Sequence, residues 1–362
     1  MRHGGQILVD QLRINKVQRV FFVPGESFLP VLDGLFDSGI DSIVGRQEGG
    51  VCMMAEAHGK LTGLPGIAFV TRGPGATNAC SGIHVAFHDS TPMILFVGQV
   101  ETGQRDRESF QEIDYRQMFS PLAKWVAEID RIDRIPEYLS QAFHIAVSGR
   151  PGPVVLSIPE DVLFTQSGIK DALPAYRTKH TVGDAQVSLV LNDLMQADRP
   201  FIIVGGSSWN SVASRQLGDL AERLGIPVCT SFRRQDYLDN RHPNYAGDIG
   251  ISPNPKLKRR LLESDCILVL GTRLGEITSS SYQIFDIPNP KQKLLHIYPD
   301  GNEFGRVYRP HISLICTAPV FVETAVRLVR SKPLVFPVEV RKEYEMWQIP
   351  SETPGSVKME QI

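Results

Sequence analysis

An excess of charge of one sign is missing from this chain. Lysine and arginine number 38 and aspartate and glutamate 40, leaving a net charge of −2. A protein that grips nucleic acid by its phosphates carries a basic surplus, so that class is excluded. Cysteine is scarce. Cys52, Cys80, Cys229, Cys266 and Cys316 are odd in number, widely spaced and never arranged as Cys-x-x-Cys. This argues against a zinc ribbon or a disulfide framework. The apolar or small neighbours of each cysteine favour buried structural thiols. Apolar runs of about 18 residues are absent, so no membrane helix is expected. The opening Met1-Arg2-His3-Gly4-Gly5-Gln6 lacks the apolar core of a secretory signal, which points to the cytoplasm. No internal repeat or low-complexity run occurs.

What remains is an ordinary globular composition, 42% hydrophobic and 22% charged over 362 residues. At roughly 150 residues per domain, that is room for about two. Short apolar segments alternate with helical spacing. Arg19–Val23, Asp41–Gly45, Gly66–Thr71, Pro92–Val97 and Pro153–Ile158 read as strands. Ser27–Ser38, with Phe28, Val31, Leu32, Leu35 and Phe36 on one face, and Glu48–Leu61 read as helices. The strands are apolar on both faces, as in a parallel sheet covered by helices. Pro159 to about Asp184 has no periodicity and reads as a linker. The alternation restarts with strands at Pro200–Gly206, Ile226–Thr230, Cys266–Gly271, Lys293–Ile297 and Ile312–Ile315, and helices at Ala213–Leu224 and Pro319–Arg330. From Ser331 the pattern stops in a charged tail punctuated by Pro333, Pro337, Pro350 and Pro354; the segment 356–362 reads as the start of another element. The expected fold class is α/β, with two doubly wound parallel-sheet domains. Their expected bounds are residues 1–165 and 185–330, joined by a linker over 166–184 and followed by a tail over 331–362.

Three loops sit between a strand and a helix. Arg46-Gln47-Glu48-Gly49-Gly50 places a carboxylate at a helix start. Ligands of open parallel sheets collect beyond the carboxyl ends of the strands, where Glu48 could give or take a proton. It could equally be a first-turn glutamate favoured by the helix dipole. Thr71-Arg72-Gly73-Pro74-Gly75-Ala76-Thr77-Asn78 is either an anion-facing turn or a plain turn and cap. Val23-Pro24-Gly25-Glu26-Ser27 has the same placement, and three such loops suggest one crevice. His84 and His88 share a helix face without a third metal ligand, which favours packing or capping. Arg105-Asp106-Arg107-Glu108 reads as a solvated loop. Lys256–Arg260 reads as a solvent face preceding a helix. Gly205-Gly206-Ser207 and Gly271-Thr272-Arg273 are glycine turns that complete no dinucleotide fingerprint.

Together these loops resemble the thiamine-diphosphate-dependent enzyme family, in its acetolactate-synthase-like branch. Further marks are Ala55-Glu56-Ala57, Asp89-Ser90-Thr91-Pro92, Gly98-Gln99-Val100, Phe110-Gln111-Glu112 and Gly149-Arg150-Pro151-Gly152-Pro153-Val154. The resemblance implies a pyrimidine-binding domain over residues 1–165 and a central domain over 185–330. It implies that Glu48 hydrogen-bonds the N1′ nitrogen of thiamine diphosphate and so activates the aminopyrimidine. It places Pro24, Gly25, Gly73, Pro74, Gly75 and Asn78 around the cofactor, and Phe110 and Gln111, the latter as a catalytic residue, on the substrate side. Arg150 matches an arginine that touches FAD in acetolactate synthases, which makes FAD a possible second cofactor. The implied substrate is a 2-oxo acid, decarboxylated or joined to an acceptor. The implied assembly is a homodimer or homotetramer with the active site between subunits.

The family's Gly-Asp-Gly and Asn-Asn motifs, which hold Mg²⁺ and the diphosphate, do not occur in these residues; Gly247-Asp248-Ile249 is the nearest string. The expectation is a truncated product or one component of a split enzyme, completed by a separate diphosphate-binding chain and inactive alone. The alternative is a non-catalytic cofactor- or nucleotide-binding partner or regulatory protein of the same fold. Glu160 stands where acetolactate synthases usually have lysine, and Tyr298 where the family often has aspartate.

Overall fold

The computed structural model describes residues 1–176, 180–330 and 337–350. It divides into two compact units, Met1–Thr178 and Lys179–Ile362.

Unit 1 opens with a two-residue strand, β1 (Arg2–His3), and helix α1 (Gly4–Ile14). The His3 ring accepts from the Gln6 N–H while the Gln6 side chain accepts from the His3 N–H, which satisfies two otherwise orphaned donors at the helix start. Then come β2 (Arg19–Phe22), α2 (Leu29–Phe36), β3 (Asp41–Val44), α3 (Glu48–Thr62), β4 (Gly66–Val70), α4 (Pro74–Asp89) and β5 (Met93–Gln99). The unit ends with α5 (Tyr115–Phe119), β6 (Trp125–Glu128), α6 (Ile135–Val147), β7 (Pro153–Pro159), α7 (Glu160–Phe164) and β8 (Gln166–Ser167), the last paired with β1.

Strands β2 to β7 form one parallel sheet in the order β3-β2-β4-β5-β7-β6. Every residue of β4, β5 and β7 is buried, because helices cover both faces. One face packs Phe69, Phe96 and Leu156 against Ile7, Leu12 and Leu139. The other packs Ala68, Leu95 and Val155 against Val51, Ala79 and Ile83. The chain leaves β2 toward β3, then returns past it to β4. That reversal opens a crevice above the carboxyl ends of β2 and β4.

Unit 2 contains α8 (Asp184–Gln196), β9 (Pro200–Val204), α9 (Ser211–Leu224), β10 (Val228–Ser231), β11 (Tyr245–Ile249), α10 (Pro255–Glu263), β12 (Cys266–Leu270), β13 (Lys293–Tyr298), β14 (Ile312–Ile315), α11 (Ala318–Leu328) and α12 (Val338–Trp347). Its six strands are also parallel, in the order β11-β10-β9-β12-β13-β14. Both units are therefore doubly wound α/β folds.

The structure corrects three sequence expectations. Lys256–Arg260 lies inside α10 rather than before a helix; Leu257 and Leu261 turn inward, and Arg260 pairs with Glu339 and Glu343. The tail is not patternless, since α12 forms between Pro337 and Pro350 and buries Tyr344 against Tyr245. Arg105 is not a solvated charge: it bonds Glu112 and Glu128. Residues 331–336 and 351–362 of the tail lie outside the described residues, including the element expected over 356–362. All five cysteines are free; Cys80 is half-buried and the other four are buried. Among the described residues, no helix is long and apolar enough to cross a membrane.

Candidate functional site

Glu48 is the first residue of α3, and Gln47 before it caps the helix by accepting from the Gly50 N–H at 2.7 Å. The Glu48 side chain is half-buried. Asn78, on the first turn but one of α4, donates its Nδ2 to Glu48 Oε2 at 3.0 Å. The other oxygen, Oε1, accepts no hydrogen bond among the described residues and points to Gly75, where an added Cβ would lie 3.5 Å from it. The two helix starts thus bring Glu48, Gly75 and Asn78 together.

Thr71 ties in the third loop. A Cβ on Gly25 would sit 2.6 Å from Thr71 Cβ, and one on Gly75 would sit 2.8 Å from Thr71 Cγ2. Thr71 Oγ1 lies 2.8 Å from Ser27 Oγ. Between these contacts Gly73 adopts φ +63° and ψ −117°, a backbone state that only glycine enters cheaply. Its N–H donates to the Tyr115 hydroxyl at 2.8 Å. Burial pushes the Tyr115 phenol up to about 12, so it remains a neutral O–H. Pro74 occupies the first turn of α4, where its missing N–H costs nothing.

Gln111 enters from the loop after β5. Its Cβ lies 2.6 Å from where a Gly73 Cβ would be, and its own φ is +66°. Glu112 folds this loop. Its carboxylate accepts from the backbone N–H groups of Asp106 and Ser109 and from Arg105, and these contacts hold it below its usual range. Phe110 stands 77% exposed on the same loop.

The structure therefore joins Gly25, Glu48, Gly73, Pro74, Gly75, Asn78 and Gln111 around one crevice. Pro24 is exposed at the end of β2. Arg150 is elsewhere. It donates to Ser90 Oγ and the Phe87 carbonyl and stacks on the Phe87 ring, closing the far end of α4. At 1.5 Å per residue, a 16-residue helix puts it roughly 20 Å from Glu48. The His84 and His88 rings meet at a tilt with centroids 4.4 Å apart, and no group of three potential metal ligands of the His, Cys, Asp and Glu types occurs among the described residues. Glu160 is not an isolated negative charge at the end of β7, because Arg72 pairs with it.

Comparison with known proteins fits this geometry. Residues 2–118 match the N-terminal TPP-binding domain of thiamine pyrophosphate enzymes, and residues 187–325 match the central domain of the same enzymes. The chain belongs to the thiamine pyrophosphate enzyme family. Its relatives include a probable acetolactate synthase large subunit of Methanocaldococcus jannaschii, 32% identical over 86% of this chain and 54% of that protein. The acetolactate synthase large subunit of Haemophilus influenzae is 29% identical over 99% of this chain and 65% of its own length. The isozyme 3 large subunit of Escherichia coli is 29% identical over 96% and 61%. The chain thus spans between half and two thirds of the length of these relatives.

Several family marks prove structural. Thr91 donates to the buried Glu56 carboxylate at 2.8 Å, and Lys60 pairs with Asp89 at 3.0 Å, tying α3 to the end of α4. The buried Gln99 donates to the Ile113 carbonyl and accepts from the Val100 N–H. Sequence reasoning missed Ser27, Thr71, Arg72 and Tyr115 as site residues. The first three lay inside the quoted loops and could have been tested as partners. Tyr115 carried no local signal; only the fold brings its hydroxyl to Gly73.

Proposed function

We propose that this chain is the pyrimidine-binding and central part of a thiamine-diphosphate-dependent enzyme acting on a 2-oxo acid, by decarboxylation or carboligation. The observation that carries this reading is the Glu48–Asn78 pair at the mouth of the β2–β4 crevice, with Oε1 left open toward a glycine-lined floor. That set suits a nitrogen-bearing ring: a carboxylate to share a proton, beside a turn whose glycines let Gln111 and Thr71 pack close. When bound, the cofactor supplies a nucleophilic carbon and an electron sink for the carbon–carbon bond change. The protein's part is narrower. Glu48 holds or shares a proton at Oε1, and Asn78 fixes its orientation through Oε2. Gln111 would act from the substrate side, and Phe110 would cover it.

We assign the cation and the diphosphate to a part of the enzyme outside the described residues, because the Gly-Asp-Gly and Asn-Asn strings that would supply oxygen ligands do not occur in this sequence. FAD enters no step. The glycine turns of unit 2 have explanations of their own: a Cβ on Gly206 would lie 1.5 Å from the Gly271 carbonyl oxygen, and Arg234 and Tyr237 both donate to the Gly206 carbonyl. We further propose a homo-oligomer with the site between subunits. Met53, Met54, Ala57 and Leu61 leave an exposed stripe on α3 that a second body would cover. The five free thiols suit a reducing cytoplasm.

The test is turnover of pyruvate and other 2-oxo acids. The chain alone should release little CO₂, and addition of a diphosphate-binding partner chain should restore release. In the completed enzyme Glu48→Gln should cost about a thousandfold in turnover with the fold intact. Unchanged turnover in that variant removes Glu48 from the mechanism. Robust turnover by the unaided chain overturns the half-site reading.

A further inference from the structure

Arg72 is a charged group beside the crevice that the proposed chemistry leaves unused. Its side chain is only 11% exposed. The guanidinium reaches across three strand ends. One Nη bonds Glu160, the first residue after β7, and the other donates to Glu26, in the loop after β2, at 3.2 Å. The Arg72 backbone N–H donates to Ser27 Oγ at 3.4 Å. Its Nε is buried with no acceptor among the described residues, so the fork is spent on the two carboxylates.

These ties matter because of the residues next to Arg72 in the chain. Past the strand ends no main-chain hydrogen bond joins these three loops among the described residues, and side chains set their spacing. Gly73-Pro74-Gly75 has no side chain at either glycine to anchor it, so the turn is held from its backbone, by the Tyr115 hydroxyl at the Gly73 N–H, and from Arg72 before it. The turn continues directly into α4, where the Thr77 N–H donates to the Gly73 carbonyl at 3.0 Å. Asn78 comes next and donates to Glu48.

We infer that Arg72 is a positioning residue: clasped by Glu160 and Glu26, it fixes the Arg72–Gly75 turn and through it the Asn78–Glu48 contact. A planar guanidinium can bridge two carboxylates at fixed angles, which a single ammonium cannot. The clasp itself is independent of the proposed function; only the purpose of the turn rests on that reading.

Peptide-resolved hydrogen exchange of the full chain tests this, with saturation-transfer NMR of thiamine diphosphate as a second readout. Arg72→Gln and Glu160→Gln should each speed exchange over residues 72–79 by about tenfold, with β5 and α6 changed by less than about twofold. Both should lose the cofactor signal. Glu26→Gln, removing the exposed partner, should speed the same segment by about threefold. The reversed pair Arg72→Glu/Glu160→Arg should return protection and signal toward wild type. If Arg72→Gln does not fold, Arg72→Lys carries the comparison and should exchange about threefold faster than wild type over 72–79. Wild-type protection of the turn in the single variants overturns the inference. So does an even rise across unit 1, which would make Arg72 a general stability element. If wild type gives no cofactor signal while the exchange pattern holds, the clasp stands and the proposed function falls.

Discussion

Glu48 and Gly73 divide the work of the crevice between a charge and a backbone shape. The local segment left Glu48 open between a dipole-favoured first-turn residue and a proton carrier, because both want a carboxylate at a helix start; only the family resemblance pointed to the second. The structure adds Asn78, thirty positions away, which the packing of α3 on α4 sets beside it. Gly73 was legible as a turn residue, but its positive φ and its bond to Tyr115 were not, since they depend on a loop that arrives after β5. Gly73→Ala should cost about 2 kcal/mol or more, because the new Cβ meets Gln111 and the backbone is strained. Urea unfolding measures it; a loss below a few tenths would mean the turn adapts freely. His296 offers a pH signature in unit 2. It is buried, its Nε2 donates to the Thr272 carbonyl at 3.0 Å, and burial lowers its pKa to about 4. Folded, it binds fewer protons than the unfolded chain, whose ring titrates near 6.5. Its contribution is full above pH 6.5 and is lost as pH falls toward 4, by up to about 3 kcal/mol. His296→Gln should flatten that slope in urea titrations run between these values; an unaltered slope assigns it to other groups.

Among the elements, the interior parallel strands were legible because β4, β5, β7 and β12 are short, largely apolar and buried on both faces. α8 was missed although Val187, Val190, Leu191 and Leu194 repeat with helical spacing: the linker was ended at 184, where the helix begins, but the pattern was picked up only at the apolar strand from Pro200. β11 was not legible. Tyr-Ala-Gly-Asp-Ile carries no strand pattern, and its place at the sheet edge comes from pairing with β10. α12 was hidden among prolines. Its anchor is Tyr344, which meets the Tyr245 ring edge-on at 5.0 Å, while Arg260 pairs with Glu339 and Glu343. Tyr344→Ala should therefore lower the stability of unit 2 by about 3 kcal/mol, read by urea titration. Glu339→Gln, on an exposed pair, should cost less than about 1 kcal/mol. Equal effects would contradict the view that the helix is held by its aromatic anchor.

At the scale of the whole molecule, the chain is two compact α/β units, each with its own sheet and its own cores. Polypeptides covering residues 1–176 and 180–350 should each unfold cooperatively on their own, as circular dichroism in urea would show. A gradual loss in either piece would contradict the division. The family and the α/β class were readable from loops whose order along the chain is distinctive. The clasp of Arg72 was not, since it depends on residues from three strand ends. The account's central claim is that the Glu48 crevice is the pyrimidine half of a cofactor site. Calorimetric titration with thiamine diphosphate, with and without Mg²⁺, tests it most directly. The account predicts weak binding by the chain, about millimolar, insensitive to Mg²⁺ and abolished by Glu48→Gln. Tight Mg²⁺-dependent binding, or identical binding by wild type and Glu48→Gln, would contradict it.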